Sequence, residues 1–294
     1  MLREFLEERK RAKMEQKVDD IRFRVKDWWK YLIGIALLVI YLMPFYVVIT
    51  VALKEKTDIS SRLSFPFGRI CWDNFRGVIE KGDIFMGIKN CLIVTGLVLV
   101  VLVVVGSTAS YALQRNQTRL NNFIRTAIMG VMMITPLTIL VGIYTTMSKI
   151  RGISTYWGIV LILSAFGLPL AIMLYTNFIA QIPKELDEAA SIDGAGVVTT
   201  FFRVIFPQLK TITVTIIILQ GVSTWNEFTF SNYFLQRAEM KTITLVIRSY
   251  FSSVTNDYGG AAAAACIGML PLVIVYLCLQ KYFIQGQMDG AVKG

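Results

Sequence analysis

Residues 188–207 read EAASIDGAGVVTTFFRVIFP, with three alanines and two glycines in a chain that is otherwise strongly apolar. Just upstream, Pro183 suits the first position of a helix, and Glu185, Asp187 and Glu188 fall near its positive end. Gly194 or Gly196 then supplies the left-handed residue that ends it. Leu186, Ala189, Ala190 and Asp193 are spaced i, i+3, i+4, i+7, so one face is nearly smooth and lets another backbone approach. The second half brings Phe201, Phe202, Val204 and Ile205 as an apolar wedge, and Pro207 bends the chain into the next apolar run. The stretch reads as a compact helical hairpin. An ordinary amphipathic loop is the plainer alternative, and pattern alone leaves both open.

Outward from this hairpin the chain is nearly all grease. Charge-free runs occupy Tyr31 to Leu53, Cys91 to Leu113, Thr126 to Met147, Gly152 to Pro183 and Gly259 to Gln280. Each exceeds the roughly 20 helical residues that cross a hydrocarbon core of about 30 Å. A shorter run, Thr211 to Asn226, makes the sixth, and its helix is expected to start before Lys210, whose ammonium can snorkel to the interface. With 55% hydrophobic residues and a mean hydropathy of +0.57, the composition agrees. The expected fold is an all-α integral membrane protein of six transmembrane helices, with the hairpin of residues 183–207 between spans four and five. Residues 1–30 form a charged N-terminal segment, 31–284 the membrane domain and 285–294 a C-terminal tail.

Six spans place both termini and the hairpin on one side. About 18 of the 30 Lys and Arg lie on that side and about 12 on the other, and the short loop with Arg115, Arg119 and Arg125 contains no acid. The hairpin and both termini are therefore expected to be cytoplasmic. No cleavable signal is expected, because charges precede the first run and no small-residue cleavage site follows it. Residues 1–30 mix charge signs at helical spacing and lead to Trp28 and Trp29, which suits a solvated or membrane-surface helix.

The chemistry that is missing narrows the function. The chain has no His, which removes the commonest general base and metal ligand. Cys71, Cys91, Cys266 and Cys278 have no metal or CxxC spacing, so neither a metal site nor a disulfide is expected. No phosphate-binding loop of the G-x-x-x-x-G-K-[ST] kind occurs. The six runs hold no Asp, Glu, Lys or Arg, whereas ion-coupled carriers usually keep such groups inside the bundle. No catalytic residue and no cofactor are expected in this chain, nor a nucleic-acid partner. If it transports, something else must drive it.

The hairpin sequence closely resembles the EAA loop of ABC-importer permeases, whose pattern is E-A-A, three residues, G, nine residues, I-x-L-P. Glu188, Ala189, Ala190, Gly194 and Pro207 match in register, while Val204 and Phe206 replace the pattern's Ile and Leu. STWNEFTFSNYFL, residues 223–235, and the C-terminal LQKYFIQGQMDGAVKG resemble the smaller permease of maltose-type carbohydrate importers. The resemblance implies a permease subunit paired with a second six-span permease. It also implies two ATP-binding subunits that carry ATP and Mg, and an extracytoplasmic sugar-binding protein. Glu188, Ala189, Ala190, Asp193, Gly194 and Pro207 would then couple this chain to an ATP-binding subunit. Gly290, Ala291, Val292, Lys293 and Gly294 would be a tail running along those subunits. The implied localisation is the bacterial cytoplasmic (inner) membrane, in contact with membrane lipid.

Sugar recognition uses aromatic faces with amide or hydroxyl groups, which makes Tyr144, Trp225, Asn226 and Tyr233 candidates for the substrate pathway; interface-belt packing is the competing reading. The apolar TITLVIRSYF, residues 242–251, is too short to span and is expected to pack over the bundle mouth. The small residues of YGGAAAAACIG, residues 258–268, suit close helix packing. Three rival functions are an ABC permease for another solute, an ion-coupled secondary carrier and a membrane scaffold.

Overall fold

The computed structural model describes residues 28–55, 58, 61–67, 70–251 and 256–291. The charged segment 1–27 and Val292, Lys293 and Gly294 of the expected tail lie outside the described residues. Among the described residues the fold is helical, with one isolated bridge between Phe251 and Asn256. In chain order the helices are α1 (Trp28–Ala52), α2 (Asp73–Lys81), α3 (Asp83–Arg115), α4 (Arg119–Val131) and α5 (Leu140–Lys149). They continue as α6 (Tyr156–Ile179), α7 (Glu185–Ile192), α8 (Val197–Thr200), α9 (Phe206–Gln208) and α10 (Lys210–Trp225). The chain ends with α11 (Thr229–Phe234), α12 (Ile243–Ser249) and α13 (Tyr258–Ala291), which carries Gly290 and Ala291 as its last residues.

Among the described residues four helices, Trp29–Ala52, Asp83–Arg115, Tyr156–Ile179 and Tyr258–Cys278, are long and apolar enough to cross a membrane. Two bent pairs, Arg119–Val131 with Pro136–Lys149 and Val197–Gln208 with Lys210–Trp225, raise the number to as many as six where each pair is one span.

The third run, Thr126 to Met147, is not one continuous helix: a 95° bend lies between the helices that share it. Pro136 explains the break: it lacks an N–H and pushes the preceding residue out of the helical region, and Thr135 is extended at φ −67°, ψ 124°. The short run Thr211 to Asn226 is also corrected. Its helix begins at Lys210, not before it, and a 73° bend separates it from the helical stretch carrying Pro207. α1, α6 and α13 contain Pro44, Pro169 and Pro271 respectively. α3 alone among these candidate spans has neither proline nor break, and its 33 residues extend about 50 Å.

Apolar side chains gain little from leaving lipid for protein, so helices in a bilayer associate through close packing and polar contacts. The α3–α6 seam follows that rule. A Cβ on Gly106 would lie 3.3 Å from the Cβ of Ala171, and the Ser110 hydroxyl reaches the carbonyl of Ile172 at 3.0 Å. Leu102, Ile159, Tyr175 and Ile179 are fully buried around this seam. Ala263 and Ala264 of α13 are fully buried too, in a second cluster with Val78, Ile84 and Val246, so the alanine run packs within the chain. By contrast α1 is exposed along most of its length and covered only near its C-terminal end.

At the Asp83 end of α3, residues 238–250 fold down onto the bundle. Ile243, Leu245 and Val246 are buried, and a Cβ on Gly87 would lie 3.0 Å from a methyl of Val246. The Asn90 side chain donates to the carbonyls of Glu239 and Lys241, both at 2.9 Å, and accepts from the Tyr156 hydroxyl at 2.7 Å. Tyr250 has its pKa raised by burial first and by the Asp257 and Asp83 carboxylates second.

Candidate functional site

The hairpin carries most of the residues singled out from sequence. α7 opens on Glu185, Asp187 and Glu188, whose charges suit its positive end. Gly194, at φ +79°, is the left-handed residue that ends it, and the following amide of Ala195 closes on the Ala190 carbonyl at 2.9 Å. Gly196 is ordinary in conformation at φ −74° and precedes the second arm. That arm runs through α8, a π turn at Phe201–Ile205 and α9 with Pro207, and it buries Phe201 and Ile205. Phe201 lies 4.9 Å from the ring of Phe202 and 5.8 Å from that of Phe206.

The open surface of the hairpin differs from the smooth face expected. Ala190 turns inward and is buried, so it packs within the chain instead of sharing a face with Leu186, Ala189 and Asp193, which are exposed. Glu188 and Gly194 are exposed as well. The tip adds three side chains that the periodicity did not single out: Ile192, Val197 and Val198 are 87%, 73% and 70% exposed. An acid beside apolar tips on a protruding loop suits a shallow groove on another protein.

Sequence spacing gave no sign of what holds this loop to the bundle. Asp187 turns away from the open surface toward the C-terminal end of α3. There it accepts a short hydrogen bond from the Tyr111 hydroxyl and pairs with the Arg115 guanidinium at 2.8 Å. Both terminal nitrogens of Arg115 also lie 3.2 Å from the Ile182 carbonyl, just before α7. The Tyr111 ring packs on Phe201 of the second arm, centroids 5.2 Å apart. Two residues one helical turn apart on α3 therefore grip both arms.

The four substrate-pathway candidates separate into different environments. Trp225 is buried, and its indole N–H donates to the Gly268 carbonyl at 3.2 Å, which ties α10 to α13. Asn226 donates back to the Val222 carbonyl of its own helix at 2.9 Å. Tyr144 and Tyr233 are both part exposed and are brought together by Gln236, whose amide reaches the Tyr144 hydroxyl at 3.0 Å and the Tyr233 carbonyl at 3.2 Å. A separate cleft of about 510 Å³ opens beside the break in the third span, with Gln220, Ser223, Thr224 and Glu227 among its lining. Among the described residues no group of His, Cys, Asp and Glu is arranged to hold a metal.

Residues 103–288 match the family described as the binding-protein-dependent transport system inner membrane component. The chain belongs to that family. The matched stretch starts within α3 and takes in the Tyr111–Arg115 grip, the hairpin and most of α13. Relatives of this inner membrane component include the melibiose/raffinose/stachyose import permease protein MelC of Bacillus subtilis, 40% identical over 255 residues, 86% of this chain and 92% of the relative. The multiple sugar-binding transport system permease protein MsmG of Streptococcus mutans is 30% identical over 274 residues, 92% of this chain and 98% of that one. Among solved structures, a chain of a bacterial ABC transporter involved in the import of the acidic polysaccharide alginate has a TM-score of 0.75. It covers 88% of this chain and 98% of its own length at 19% identity, a likeness of fold. The inner membrane component is thus a multi-pass membrane protein of helical architecture.

Proposed function

We propose that this chain is the permease subunit of an ATP-driven importer for sugars or oligosaccharides, forming half of a heterodimeric translocation pathway. The observation that carries the reading is the 40% identity to a melibiose/raffinose/stachyose import permease over 92% of that protein's length. The protruding hairpin, with exposed Glu188, Ala189, Asp193 and Gly194, supports its use as the coupling element docked on an ATP-binding subunit. In this reading each bent pair is one span, the spans number six, and both termini and the hairpin face the cytoplasm. ATP and Mg bind in two partner subunits, a second six-span permease completes the pathway, and an extracytoplasmic binding protein delivers the sugar. Gly290 to Gly294 form a tail along the ATP-binding subunits. Pro207 marks where hairpin motion enters the fifth span, and Tyr144, Tyr233 and Gln236 form a polar patch beside the pathway.

Reconstitution tests this directly. The chain, purified with the products of its neighbouring genes and placed in lipid vesicles, should take up radiolabelled melibiose or raffinose only with enclosed ATP and added binding protein. Uptake of an amino acid or peptide but no sugar from a panel would favour another solute class. Uptake that needs no ATP-binding subunit and collapses with an ionophore would overturn the importer reading.

A further inference from the structure

The hairpin is joined covalently to α6 and α10, yet both connections are irregular. Residues 180–184 form turns after α6, and a 73° bend just after α9 separates the hairpin's second arm from α10. Its ion pair and the hydrogen bond beside it go to a helix it does not adjoin in sequence. Arg115 and Asp187 are mostly buried, with side chains 11% and 20% exposed. A buried ion pair that loses one partner leaves an uncompensated charge, so the two groups resist separation. Tyr111 adds a hydrogen bond to the first arm and a ring contact to the second. α3 is the one candidate span with neither proline nor break, and its far end is fixed through Asn90 to residues 239 and 241.

We infer that Arg115, Tyr111 and Asp187 are positioning residues that make the coupling hairpin and α3 move as one body during transport, so that force from the ATP-binding subunit enters the bundle through α3 as well as at Pro207. The inference rests on the importer reading. Asp187 and its neighbour Glu188 then divide the work: Glu188 faces the partner, and Asp187 carries the load inward. A straight length of about 38 Å, gripped by the hairpin at Arg115 and by residues 239 and 241 at Asn90, links the two sides of the bundle without passing through a bend. The grip needs a fork as well as a charge, because Arg115 reaches both a carboxylate and the Ile182 carbonyl; lysine keeps the charge and loses the fork.

The test uses the whole complex in vesicles, with uptake and ATP hydrolysis measured together. Arg115→Ala and Asp187→Ala should still co-purify with the partner subunits while sugar taken up per ATP hydrolysed falls about ten-fold, within the range of measured couplings between sites. Arg115→Lys should fall between wild type and alanine. In the decisive arm, Arg115→Cys with Asp187→Cys should lose coupling in the same way and regain it when the two thiols are joined by a short bifunctional maleimide. Wild type given the same reagent controls for Cys71, Cys91, Cys266 and Cys278. If the joined complex transports no better than the unjoined one, the pair must open during the cycle and the inference falls. Wild-type coupling in Arg115→Ala would overturn it equally. Failure of the wild-type complex to import any sugar would instead sink the importer reading, and the inference with it.

Discussion

The hydroxyl of Tyr156 donates to the side-chain oxygen of Asn90 at 2.7 Å, which leaves both amide protons of Asn90 for the carbonyls of Glu239 and Lys241. One buried side chain thereby ties α3, the start of α6 and the segment before α12. Asn90→Asp keeps the shape but turns an oxygen toward two carbonyls. It should destabilise the purified chain by about 3 kcal/mol, whereas Tyr156→Phe should cost only about 1 kcal/mol. Thermal unfolding midpoints in detergent check the order, and equal losses would place the restraint elsewhere.

Gly194 and Gly196 should respond differently to the same change. No atom lies within 4 Å of a Cβ built on either residue, so the penalty at Gly194 comes from its φ of +79° alone. Gly194→Val should cost about 1–2 kcal/mol and weaken co-purification of the ATP-binding subunit, with Gly194→Asn milder and Gly196→Ala near wild type. Tag-based recovery of the complex measures all three.

Glu188 is exposed and Asp187 is paired inside, so their charges fail in different ways. Glu188→Lys should leave the isolated chain as stable as wild type and lower its recovery of the ATP-binding subunit. Asp187→Lys sets a cation against Arg115 and should lower the melting temperature of the chain itself. A melting temperature lowered equally in both would contradict the division.

Trp225→Phe removes one hydrogen bond to Gly268 and should cost about 1 kcal/mol in stability, leaving the KM for sugar uptake unchanged. A raised KM with unchanged stability would return Trp225 to the pathway.

Gly158 admits no side chain. A Cβ there would lie 2.0 Å from the Gly152 carbonyl oxygen, a backbone atom that cannot swing aside. Gly158→Ala should sharply reduce the yield of detergent-extracted folded chain, while Gly130→Ala, at an open position, should not.

The sequence made the long helices legible because a charge-free run must be nearly all helix in a bilayer. The run from Cys91 to Leu113 lies inside α3, but the helix extends outward to Asp83 and Arg115, since charged ends can stay helical beyond the hydrocarbon. The break at Pro136 was readable in principle from Pro after Thr135, yet the apolar run concealed it. The hairpin was legible as small residues, a left-handed glycine and a proline. Its burial was not, because which face of α7 turns inward depends on Arg115 and Tyr111, more than 70 residues earlier. Trp225 is of a type that stacks on sugars, and only the position of the Gly268 carbonyl shows that its indole N–H is bonded within the chain.

The near-complete exposure of α1 has a consequence for biosynthesis. A first span that meets the rest of the chain only near its C-terminal end can settle on leaving the translocon, before any other span exists. α3 cannot settle so early, since the glycine-tuned seam it fits belongs to α6 and the carboxylate that holds Arg115 is synthesised only after α6 is complete. The emerging chain therefore anchors itself first and assembles its moving parts afterwards, with the pairing of Arg115 and Asp187 among the later events of its folding.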